Sequence, residues 1–204
     1  MRALAFGALL NLVGFLVLMV GANALSAVLA LATSGFYVLV YTAWLKRSTP
    51  QNIVIGGAAG AMPPVVAWAA ITGSLALPAL YLFLIIFLWT PPHFWALSLL
   101  LKDDYAGAGV PMLPVVRGER YTLQAILAYT IALVATTLVV FALGPFGVVY
   151  LASAGVLGGL FLWRTVHLLR RAGRRSALEV YKYSLLYIAL LFLAILVDTS
   201  TGWS

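Results

Sequence analysis

The chain has 204 residues, the length of one ordinary soluble domain, but 64% of them are hydrophobic and only 8% are charged. Globular proteins are roughly half apolar and about one quarter charged, so this composition excludes a soluble fold, whose surface would lack polar cover, and it equally excludes disorder. With no cysteine there is no disulfide framework, iron–sulfur cluster or thiolate metal site, and the net charge of +7 has to be read from its distribution before nucleic acid is considered.

A helix needs roughly 20 apolar residues to cross a bilayer. Seven stretches meet that length: about 3–22, 24–45, 53–71, 77–100, 122–143, 146–168 and 180–198. The expected fold class is therefore an all-α polytopic membrane protein, a single transmembrane domain over 1–204. The first helix is too long for a cleavable signal peptide and lacks a cleavage site. Connectors after helices one, three and five (21–23, 72–76 and 144–145) are short and uncharged. Those after helices two, four and six (46–52, 101–121 and 169–179) hold Lys46, Arg47, Lys102, Arg117, Arg120, Arg170, Arg171, Arg174 and Arg175. Arg2, Arg164 and Lys182 sit at helix ends on that same side. The positive-inside rule then puts the N-terminus in the cytoplasm and the C-terminus, with Asp198, outside. Glycines 56, 57 and 60 in helix three, and 155, 158 and 159 in helix six, read as points of close helix approach.

Residues 41–52 form the first segment that topology does not require. Tyr41 and Trp44 suit an interfacial aromatic belt, and Lys46–Arg47 are followed by Ser48-Thr49-Pro50, a hydroxyl cap with proline at the first helical position. Free N–H groups of helix three beside two cations suit an anion or phosphate. In helix four, Pro91 and Pro92 remove the hydrogen bonds to the carbonyls of Phe87 and Leu88, so a kink or opening is expected, with Pro63–Pro64 as a second break. His93 follows at once, an ionisable group at membrane depth. Trp89, Phe94 and Trp95 are candidates to line an apolar cavity.

The connector at 101–121 is the expected cytoplasmic active-site loop. Asp103 and Asp104 are two of only five acids in the chain. Acids do little to orient a membrane protein, whereas adjacent carboxylates beside cations suit magnesium bridging to a diphosphate. Gly107, Gly109, Pro111 and Pro114 predict a shaped loop. The last basic connector reads as an orientation signal and a contact for anionic lipid. Tyr181, Tyr183 and Tyr187 read as interfacial or packing residues.

Three strings, YTAWLKRSTPQNIVIGGAAGAMPP (41–64), FLWTPPHFWALSL (87–99) and KDDYAGAGVPMLPVVRGE (102–119), occur in the order and spacing of one family. They resemble the protoheme IX farnesyltransferases, or haem O synthases, of the intramembrane UbiA-type prenyltransferase superfamily. The resemblance is dense over about 37–121. It implies magnesium-dependent transfer of farnesyl from farnesyl diphosphate to a vinyl group of haem B, giving haem O for cytochrome oxidase assembly, with haem B as substrate rather than cofactor. It further implies Asp103 and Asp104 as magnesium ligands and Lys46, with Arg47, as diphosphate ligands. Lys102 and Arg117 are implied for diphosphate or haem propionates, Tyr41 and Asn52 for substrate binding, and His93 for a catalytic role in orienting haem or its vinyl group. The implied partners are the two substrates, the lipid bilayer and membrane proteins of haem biosynthesis or oxidase assembly, with no nucleic acid. The implied location is the bacterial cytoplasmic membrane.

The family's nine helices include a first acidic motif, of the type N-D-x-x-D-R-D-x-D, between helices two and three. The seven helices here resemble helices three to nine, and residues 1–40 contain no acid. The expectation is of an N-terminally shortened chain with half of the magnesium site and little or no activity on its own. The alternatives are a sibling prenyltransferase with another acceptor, such as a quinone ring, and a non-catalytic membrane protein: a haem- or partner-binding remnant, or a small transporter.

Overall fold

A computed structural model describes residues 2–144 and 146–200, and the regular structure among them is entirely helical. Pro145, in the expected fifth connector, lies outside the described residues. Helices are what such a sequence must form in lipid, because no water is present to satisfy backbone N–H and C=O groups. Seven helical spans are long and apolar enough to cross a membrane.

The first span is α1 (Arg2–Gly21). α2 (Ala24–Gly35) follows, capped by Asn23, whose side chain accepts from the Ser26 N–H at 2.9 Å. The amide of Asn23 also donates to the carbonyls of Ala69 and Ala70, at 2.7 and 3.1 Å, tying the first connector to the end of the third span. The second span then passes into a π-helix over Phe36–Leu45 and ends in one turn, α3 (Lys46–Ser48). The third span is divided as its prolines require. α4 (Asn52–Ala61) and α5 (Pro63–Thr72) meet at Met62, and Gly73 closes α5 in the left-handed conformation, φ 67°.

The fourth span corrects an expectation. α6 (Leu77–Leu100) does not open at Pro91–Pro92 but runs unbroken through both. Thr90, Pro91, Pro92 and His93 are all buried, so neighbouring helices cover the two carbonyls that the prolines leave without donors. The segment expected as a loop is largely helical: α7 (Lys102–Gly107) and α8 (Leu113–Val116) lead into α9 (Gly118–Leu143). Positive φ at Gly109 (64°) and Gly118 (79°) lets the chain turn there, which bears out a shaped connector.

α10 (Val148–Arg170) starts later than 146, and α11 (Arg174–Ser200) starts well before 180, because its charged first turns are good helix formers. Asp198, 2% exposed near the end of α11, accepts from the backbone N–H groups of Gly147 and Tyr150 and so caps α10.

α6 is the central element. It packs against α4, α9 and α11, while α10 joins α9 to α11. The core of this group includes Trp95, Ile126, Leu133, Tyr150, Phe161, Tyr187 and Leu191. α1 lies outermost against α2, with Leu4, Phe6 and Val20 exposed, as suits a lipid-facing helix. Of the glycines, Gly57 meets Thr90 and Gly158 meets Val134 closely, whereas Gly60, Gly155 and Gly159 have open space beside them.

Candidate functional site

The residues singled out in the sequence gather at the basic end of the bundle, where the second, fourth and sixth connectors lie. Lys46 and Arg47 are exposed on α3. The helix start read from Ser48-Thr49-Pro50 is displaced. The Ser48 hydroxyl donates back to the Trp44 carbonyl at 2.6 Å, and α4 begins only at Asn52, after an uncapped Gln51. Ser48 is drawn into the preceding turn because the second span continues past its expected end. Asn52 is fully buried. Its amide donates to the Lys46 carbonyl at 3.3 Å, and its Oδ1 meets no donor among the described residues.

Asp103 and Asp104 are exposed in the first turn of α7, and no third carboxylate or histidine joins them in a metal-sized group among the described residues. Lys102 does not pair with either. It forms an ion pair with Glu119 at 2.9 Å, and that hydrogen bond, with the charge of Glu119, holds the lysine above its ordinary pKa. A polar cleft of about 260 Å³ opens here between the ends of α6, α9, α10 and α11. Lys102, Asp103, Glu119 and Arg174 line it, and Arg174 donates to the Leu100 carbonyl at 3.3 Å. Arg117 is exposed with its guanidinium 6.0 Å from the Tyr121 ring. No ion pair or hydrogen bond joins Lys46 or Arg47 to Asp103 or Asp104 among the described residues.

Below this polar end lies an aromatic cavity of about 230 Å³ between the π-helix, α4 and α6. Its walls include Tyr37, Tyr41, Trp89 and Phe94, and its floor is glycine: Gly56, Gly57 and Gly60. Tyr37 and Tyr41 pack with ring centroids 5.2 Å apart, and a Cβ at Gly56 would overlap the Tyr41 ring. Tyr41 thus faces a cavity rather than an interfacial belt. An apolar, aromatic-lined space between two spans whose ends lead into Lys46–Arg47 and Asp103–Asp104 suits an amphipathic ligand with an anionic head.

His93 is not among the residues lining that cavity. It lies behind Trp89, its ring stacked on the indole at 4.4 Å and on Tyr181 at 4.9 Å, with Phe94 edge-on at 5.2 Å. Its Nδ1 is 2.7 Å from the Ser184 hydroxyl. Tyr181 is accordingly an inter-helix packing residue, and Tyr187, fully buried against Phe161, is another. Ser184, Glu119 and the capping role of Asp198 went unrecognised in the sequence. Only α11 packed against α6 reveals the first, and the other two depend on pairs 17 and 48 or more residues apart.

The sequence profile of the UbiA prenyltransferase family matches residues 1–197. Among curated relatives, the protoheme IX farnesyltransferase of a Roseiflexus species is 55% identical over 197 residues, covering 97% of this chain and 37% of that protein. The protein of that name from Thermus thermophilus is 55% identical over 196 residues, covering 96% of this chain and 32% of its own. The one from Gloeobacter violaceus is 49% identical over 199 residues, 97% of this chain and 65% of its own. The chain therefore spans about a third to two thirds of the length of these relatives. A solved structure from work on digeranylgeranylglyceryl phosphate synthase in membranes superposes with TM-score 0.79 at 20% identity, covering 96% of this chain and 68% of that one, and so shares its fold.

Proposed function

The chain belongs to the UbiA prenyltransferase family, and from that premise we propose that it carries the second acidic segment and the aromatic cavity of a protoheme IX farnesyltransferase. The reaction is transfer of a farnesyl group from farnesyl diphosphate to a vinyl carbon of haem B, giving haem O. The observation that carries this reading is the aromatic cavity walled by Tyr37, Tyr41, Trp89 and Phe94, set between the π-helix and α6, whose C-terminal ends lead directly into Lys46–Arg47 and Asp103–Asp104.

The cavity and the two charged segments each answer a requirement of the chemistry. Departure of diphosphate needs concentrated positive charge, which Lys46 and Arg47 provide from α3. Two adjacent exposed carboxylates fit magnesium, which is commonly held by one or two carboxylates together with substrate phosphates, so Asp103 and Asp104 are its proposed ligands. When bound there, the metal neutralises the leaving group's charge. The allylic cation needs an apolar, water-poor surround, and ring faces attract cations, so the aromatic cavity is the place for the isoprenoid's reactive end. Asn52 Oδ1, a buried acceptor without a donor, suits a bound water or cation better than a diphosphate oxygen. Lys102, engaged by Glu119, is a weaker phosphate ligand than Lys46. Arg117 is kept for a haem propionate. The basic end is proposed as the cytoplasmic face of a bacterial membrane.

The test is a chimera in which residues 1–197 replace the matching two thirds of the Gloeobacter violaceus relative, followed by mass spectrometry of extracted haems. Haem O is expected from the chimera, and none from its Asp103→Asn variant. A chimera that inserts and folds yet leaves haem B unconverted contradicts the reading.

A further inference from the structure

We propose that His93 is a positioning residue: with Ser184 and Tyr181 of α11 it fixes the plane of Trp89, and so sets one wall of the aromatic cavity. This rests on the proposed role of that cavity as the isoprenoid site, but its structural core stands apart from it.

The geometry is a clamp between two helices. The indole of Trp89 is held at its edge by a 2.7 Å hydrogen bond from Nε1 to the Ser184 carbonyl. One of its faces rests on the His93 ring, 4.4 Å away and 18° from parallel, and His93 rests in turn on Tyr181, 4.9 Å away and 25° from parallel. The imidazole cannot turn, because its Nδ1 lies 2.7 Å from the Ser184 hydroxyl. That hydroxyl has one proton and gives it to the Tyr181 carbonyl at 2.6 Å. It therefore accepts from His93, which fixes the Nδ1–H form of the ring.

The hydrogen bonds of the set and the His93–Tyr181 stack end on two residues of α11, Tyr181 and Ser184, and Trp89 alone of the set lines the cavity. A phenylalanine at 93 would stack but could not be locked in rotation, and an asparagine could bond Ser184 but would offer Trp89 no ring. Histidine does both, which accounts for an ionisable residue buried to 6% exposure with no carboxylate bonded to it among the described residues.

The experiment uses the whole chain in lipid nanodiscs, labelled with 5-fluorotryptophan, with the Trp89 signal assigned by Trp89→Phe. Fluorine spectra of wild type, His93→Asn, His93→Ala and His93→Phe are compared, and farnesyl diphosphate with magnesium is then titrated into each. The Asn and Ala variants are expected to shift or broaden the Trp89 signal and to weaken farnesyl diphosphate binding roughly 3- to 10-fold. The Phe variant, which retains the ring but loses the bond to Ser184, is expected to disturb the signal and the binding less than Ala does and more than wild type. A Trp89 signal unchanged in both Asn and Ala variants overturns the positioning role, as does a Phe variant that disturbs it as much as Ala does. A signal that moves as expected while binding stays unchanged supports the clamp and instead refutes the cavity as the isoprenoid site.

Discussion

The ring of Tyr41 lies directly on the backbone of Gly56, in space that any side chain there would occupy. Because Tyr41 also forms a wall of the aromatic cavity, the glycine sets both the approach of the second and third spans and the cavity's shape. We expect Gly56→Ala to cost about 1–3 kcal/mol, as overpacking does, and Tyr41→Leu in the same chain to recover most of it. Gly60→Ala, with open space beside it, is expected to be neutral. Thermal unfolding in detergent, followed by circular dichroism, distinguishes the two glycines.

Asp198 caps α10 at the end of the bundle opposite the basic connectors, through the Gly147 and Tyr150 N–H groups. Asp198→Ala leaves those buried donors without their acceptor, and a loss of about 1–3 kcal/mol follows. The same unfolding assay reads it. Binding of farnesyl diphosphate at the far end should be unchanged below the unfolding transition.

The exposed acids should behave in the opposite way. Asp103 and Asp104 stand on the surface, so replacing either with asparagine should alter stability by no more than about 0.5 kcal/mol. The loss should instead appear in magnesium-dependent ligand binding. Stability and binding measured on the same samples separate the two effects.

Lys102 is held protonated to higher pH by the Glu119 carboxylate. A raised lysine pKa contributes stability below the unfolded-state value and loses it as pH rises through the folded one, so this pair's contribution is present at neutral pH and is lost only toward the alkaline limit. Its two side chains are 38% and 56% exposed to solvent, and screening keeps its contribution small. Glu119→Gln is expected to return the Lys102 titration toward the ordinary lysine range, read by NMR of the labelled side chain. Unfolding temperature at neutral pH should scarcely change.

Composition and charge spacing were enough to read the seven spans, because apolar length in lipid admits few alternatives. The divided third span was legible from Pro63–Pro64. The π-helix was not, since Phe36–Leu45 reads equally well as α-helix. Local chemistry at Pro91–Pro92 favours a kink or an opening, and the buried setting of α6 carries the helix through without opening. In the site, Asp103 and Asp104 were legible as acids that topology does not require. The place of His93 was not, because its partners Tyr181 and Ser184 lie some ninety residues away on α11. Nothing in its neighbourhood in sequence distinguishes a residue facing a cavity from one standing behind the wall.

The most direct test of the central claim is titration of farnesyl diphosphate into the purified chain in nanodiscs, with magnesium and with chelator, for wild type, Asp103→Asn and Lys46→Ala. The account predicts binding that requires magnesium, is lost in Asp103→Asn and weakens in Lys46→Ala. Binding that persists in chelator and is indifferent to Asp103, or no binding by a chain with intact helical structure, would contradict it.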